Sequence, residues 1–141
     1  MHPIILSCAI MCAPSPATAV SDAQGVSITL AHNSPTETQT KAQIIRLMGQ
    51  HNVNRWLYTR NIVIDDNAIP HSHPILTLHT RHLKDDDLLL ATLLHEELHW
   101  YLTQNPVAVD SAISDLKKLF PNIPVGYPAG SADEMGNYVH L

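Results

Sequence analysis

The chain is poor in cysteine, in basic residues and in aromatics. Of its 141 residues only Cys8 and Cys12 are cysteines, both at the start, so no disulfide framework spans the rest. Eight Lys and Arg stand against thirteen Asp and Glu, for a formal net charge of -5. A nucleic-acid binder usually carries a basic patch, and this balance argues against one. No apolar run reaches the roughly 18 residues that a membrane span needs, so none is expected. Charged residues make up only 15% and aromatics 5%, but 45% of positions are apolar, which argues against wholesale disorder. The length suits one domain with a core of its own. What the chain does have is histidine, ten residues in all.

Ile4-Ile5-Leu6-Ser7-Cys8-Ala9-Ile10-Met11-Cys12-Ala13 is apolar and is followed by two prolines and Ala17-Thr18-Ala19. This order matches the apolar region and small-residue cleavage site of a secretory signal peptide, although no Lys or Arg precedes it. A disordered N-terminus is the other reading. The first implies export and the second a cytoplasmic protein. In both cases residues 1–20 stand apart, and 21–141 form a single domain.

Along that domain, residues 25–30 read as a short edge strand. Ser34-Pro35-Thr36-Glu37 opens a helix: Ser34 caps, Pro35 suits the first helical position and Glu37 completes a capping box. Ile44, Ile45, Leu47 and Met48 carry the helix to about Gly49. Residues 61–65 and 75–80 read as strands, the second an edge strand because Pro74 begins it. Asp85, Asp86 and Asp87 open a long apolar helix to about Leu102, with acids at its positive end. Asn105-Pro106 starts another, which stops at Pro121. Ser131-Ala132-Asp133-Glu134 reads as a second capping box, with a helix reaching Leu141.

His95-Glu96-Glu97-Leu98-His99 is an H-E-x-x-H pattern. At helical spacing the two histidines stand one turn apart on one face, so both imidazoles can reach a single Zn²⁺. Glu96 borders that face and can take a proton from a metal-bound water. Glu97 points about 160° away and cannot share the task. The chain's own composition gives roughly 0.02 chance occurrences of this pattern. Its neighbours, Leu88 to Leu90, Leu93, Leu94, Leu98, Trp100 and Leu102, predict a helix buried all round. A bound metal would offset the cost of burying two His and a Glu there.

Leu93-Leu94-His95-Glu96-Glu97-Leu98-His99-Trp100, Pro124-Val125-Gly126-Tyr127-Pro128 and Tyr138-Val139-His140-Leu141 together resemble a family of small zincin-like proteins within the zincin metallopeptidases. The resemblance covers about residues 36–141. Family members continue past the segment matching the last four residues, whereas this chain stops there. The resemblance implies an α+β fold of zincin type: a small sheet, its edge strand above a central buried motif helix, and flanking helices. It also implies Zn²⁺ as cofactor, with His140 as third ligand beside His95 and His99. The five residues after His99, Trp100 to Gln104, include no His, Asp or Glu, so the third ligand comes from a distant element. Glu134 is the rival, as in thermolysin-like arrangements, though its capping box already occupies it; Asp133 is a weaker third. His71 and His73 read as surface-loop residues, and His79 and His82 could approach the site. His32 and His51 carry no signal. Tyr127 and Tyr138 are candidates for a phenol aimed at the reaction, with buried packing the plainer role.

The expected function is a zinc-dependent hydrolase, a peptidase above all, with Glu96 as base and a peptide or protein as substrate. The edge strand at 75–80 would pair with an extended peptide. Two rivals remain: a zinc-binding module in which the metal only staples the fold, and an interaction protein with no metal. The oligomeric state cannot be read from the sequence.

Overall fold

Among the described residues three strands and one helix come first, and three helices follow. The computed structural model describes residues 25–126, 128 and 130–141; the apolar segment at 1–20 and Tyr127 lie outside them. The order is β1 (Ser27–Leu30), α1 (Pro35–Gln50), a 3-10 turn (Asn54–Trp56), β2 (Asn61–Ile64), β3 (Leu76–Leu78), α2 (Asp86–Gln104), α3 (Pro106–Leu119) and α4 (Glu134–Val139). The class is α+β, as expected. The strands form one parallel sheet in the order β1-β2-β3.

Register explains the core. Ile28, Ile62 and Leu76 lie side by side across the sheet, and Leu30, Ile64 and Leu78 form the next row. Ile44, Leu47 and Met48 of α1 and Leu89 and Leu93 of α2 join these rows in one buried cluster. Both helices therefore cover the same face. Each fully buried Leu, Ile or Met contributes roughly 1.5–3 kcal/mol. The capping box of α1 is present: Ser34 Oγ accepts from the Glu37 N–H, and Glu37 Oε2 accepts from the Ser34 N–H. Asp85 caps α2 by accepting from the Leu88 N–H.

Two expectations fail here. The second capping box does not form. Asp133, not Ser131, caps α4 by accepting from the Gly136 N–H, and the helix stops at Val139 with His140 as its C-cap. Nor is α2 buried all round. Its buried residues are Leu89, Leu93, Glu96 and Glu97, while Leu88, Leu98 and Tyr101 are exposed. Its Leu content exceeds what the elements packed against it cover. Among the described residues no helix is long and apolar enough to cross a membrane.

Candidate metal centre

α2 presents His95 and His99 one turn apart. Their Nε2 atoms lie 3.2 Å from each other, with rings edge to face at 4.9 Å. Two imidazole nitrogens on one tetrahedral Zn²⁺, each about 2.0–2.1 Å from it, would stand about 3.4 Å apart. The helix thus sets the pair at ligand spacing. His140 completes the group from the end of α4, its ring 5.7 Å from His95 and 5.1 Å from His99. One nitrogen from each of the three lies within 4.8 Å of the others. His140 Nδ1 donates to the Gly136 carbonyl oxygen at 2.6 Å, which leaves the Nε2 lone pair for a ligand. A backbone carbonyl, not an acidic side chain, thus holds the second ring nitrogen.

The loop ahead of α4 is fixed tightly enough to aim His140. Asn137 Nδ2 donates to the Pro124 carbonyl oxygen at 2.8 Å. A Cβ at Gly130 would collide with that same oxygen and with the Asn137 amide, so only glycine fits there. The buried Tyr138 donates its hydroxyl to the Phe120 carbonyl oxygen at 2.7 Å. That bond ties α4 to the end of α3 and removes Tyr138 as a phenol for catalysis.

Glu96 stands beside the trio and is only 7% exposed. Burial pushes its carboxyl above the usual range, against the opposing pull of His95, His71, His140 and His73. Burial, with His95, His140 and His73 nearby, holds the His99 imidazole below its ordinary value and favours the neutral, ligating form. Glu97 faces the interior instead. It is completely buried, and its Oε2 accepts from the Tyr58 and Thr59 N–H groups at 2.7 and 3.0 Å. The helical angle separated the two glutamates but gave no sign of this interior role.

Glu134 and Asp133 are not part of the group. Glu134 pairs with Lys117 at 3.0 Å on the surface, and Asp133 caps its helix. His79 and His82 contact one another at 4.6 Å, and His79 Nδ1 accepts from the Arg81 N–H, so neither belongs to the trio. His71 and His73 are exposed, as loop residues should be, yet they are not idle. The His73 ring stacks on Trp100 at 4.2 Å, and its Nε2 lies 3.3 Å from Thr103 Oγ1. Trp100 Nε1 donates to the Ser72 carbonyl oxygen at 2.8 Å. His71 exchanges two backbone hydrogen bonds with Thr77 of β3.

The segment 70–73 is therefore an arm lying between the sheet edge and α2, which nothing in the sequence announced. It occupies the outward backbone groups of Thr77, so the edge strand is not free at its centre. Open cavities of about 310 and 360 Å³ flank His99, the first walled by His73 and Ile113, the second by His95 and His140. Space for a water or substrate atom is therefore present next to the imidazoles. No protein-family model, curated protein or solved structure matches this chain.

Proposed function

We propose that the protein is a zinc-dependent hydrolase of zincin type acting on peptide bonds. The observation that carries this reading is the convergence of His95, His99 and His140 beside a buried glutamate on the motif helix. Three imidazoles with open space beside them match a catalytic zinc site, which keeps a fourth position for water. Zinc held there would lower the pKa of a coordinated water to about 7 and polarise a substrate carbonyl. Glu96 would accept the proton of the attacking water and return it to the leaving nitrogen. The Gly136 carbonyl keeps His140 in the ligating tautomer.

The arm changes how substrate would approach. An extended peptide cannot add along the whole of β3, because His71 already pairs with Thr77. Access runs instead along the open side of α2, between His73 and the trio. The same observation favours a second reading, in which zinc only staples α2 to α4 and nothing is cleaved.

One experiment separates them. Purified protein loaded with one equivalent of zinc is offered a mixed peptide library, alongside Glu96→Gln. The hydrolase reading expects cleavage by wild type and a loss of at least about 10²-fold in Glu96→Gln, with zinc content unchanged. Zinc bound by both proteins and no cleavage by either would establish the staple instead.

A further inference from the structure

His32 follows β1 and lies at the carboxyl end of the sheet, among three carboxylates. Its Nδ1 is 3.0 Å from Glu37 Oε1, 3.2 Å from Asp66 Oδ1 and 3.6 Å from Asp65 Oδ1. Its backbone N–H donates to Glu37 Oε2 at 3.0 Å. Glu37 is completely buried and also accepts from the N–H groups of Ser34 and Asp66. One buried carboxylate thus joins the end of β1, the first turn of α1 and the turn after β2. Asp65 and Asp66 bring two more negative charges to the same spot. Lys41, one turn further along α1, donates to the Ile28 carbonyl oxygen at 2.7 Å. Of the groups gathered here, the half-exposed imidazole is the one that changes charge near neutral pH.

We propose that His32 is a proton-operated latch: its charged imidazole ties the turn after β2 to the sheet, and loss of the proton releases it. Three carboxylates within 3.6 Å of one nitrogen gain an attraction when it is charged and repel one another when it is not. The hydrogen bond to Glu37, with Asp65 and Asp66, raises the His32 pKa above its ordinary 6.5. Burial alone would push Glu37 up, but the N–H groups and imidazole of His32, with Ser34 and Asp66, hold it below its ordinary value, so it stays ionised throughout. For a base raised in the folded state, the stabilisation is complete below 6.5 and disappears as pH rises through the folded value.

The segment that this latch holds is the start of the 65–75 connection. Further along, that connection pairs with β3 through His71 and reaches α2 through Ser72 and His73. Deprotonation therefore loosens the turn that leads into the arm lying against the motif helix. The device needs no metal and stands whether or not the protein is a hydrolase.

The test uses the full chain, with NMR titration of the His32 ring and amide hydrogen exchange at 66–73. Wild type is compared with His32→Gln and with His32→Lys, whose charge persists. His32 is expected to titrate above 6.5. Between about pH 6 and pH 8.5, protection at 66–73 should fall about tenfold in wild type after correction for intrinsic exchange. It should be low at both values in His32→Gln and high at both in His32→Lys. A His32 ring titrating at or below 6.5 overturns the latch, as does a His32→Lys protein with the wild-type loss of protection. Where His32→Gln fails to fold, these two readouts decide.

Discussion

Glu96 and Glu97 are neighbours in sequence with opposite surroundings. Glu96 borders three imidazoles, whereas Glu97 points into the protein and closes the chain at Tyr58 and Thr59. Among the described residues Glu97 Oε1 has no hydrogen-bond partner. Burial pushes this carboxyl up, against the N–H groups of Thr59 and Tyr58 and the charge of Arg60, and the net direction is upward. An acid raised in the folded state binds its proton more tightly there than when unfolded. Stability therefore falls as pH rises from the ordinary 4.5 through the folded value, and Glu97 shares this part of the slope with Glu96. Glu97→Gln should flatten that segment of the curve while leaving zinc content, and turnover if present, within about twofold. Glu97→Ala should cost about 1–3 kcal/mol, because two buried N–H groups lose their acceptor. Urea unfolding at several pH values checks both; an unchanged slope in Glu97→Gln would show that another group sets it. Residue periodicity alone separated the pair, since 100° per residue suffices to say that they face apart. It could not say that Glu97 faces a buried backbone, because residues 58 and 59 are brought there by tertiary packing.

Helix ends were largely legible, because capping is a local affair. Ser34 with Glu37, Asp85 with Leu88, and Pro106 at the head of α3 all act at or near the positions the sequence suggests. The exception is α4, where Ser131 and Asp133 both offer a capping oxygen two residues apart. Asp133 prevails, and Glu134 is released to pair with Lys117. The arm at 70–73 was not legible. Two prolines mark it as irregular, but its partners Thr77 and Trp100 are set by the fold. Trp100 fastens it by one hydrogen bond and one stacked ring. Trp100→Phe keeps a ring for His73 and strands the Ser72 carbonyl oxygen, which should cost about 1 kcal/mol. Trp100→Ala loses both and should cost more, about 2–3 kcal/mol. Denaturant midpoints order the two variants, and hydrogen exchange at 71–73 should rise in both. Equal stability of wild type and Trp100→Ala would mean that the arm is held elsewhere.

At the scale of the whole molecule, the sheet, α1 and α2 share one core, and α3 and α4 extend from the far end of α2. The alternating apolar strands and capped helices made the α+β class readable in advance. The parallel order was less so, because the β2–β3 connection contains no helix to announce it. The candidate centre spans this architecture: two imidazoles stand on the core helix and the third at the end of the chain's last helix. Its spacing was half visible as an i, i+4 pair, while His140 entered by resemblance and is brought close by the α3–α4 packing. The most direct test of the centre is zinc X-ray absorption on full-length protein loaded with one equivalent of metal. Three imidazole nitrogens and one further light atom, all at about 2.0–2.1 Å, are the expected shell. A shell with sulfur at about 2.3 Å would move the metal to Cys8 and Cys12, and a shell with only two imidazoles would remove His140; either result would contradict the account.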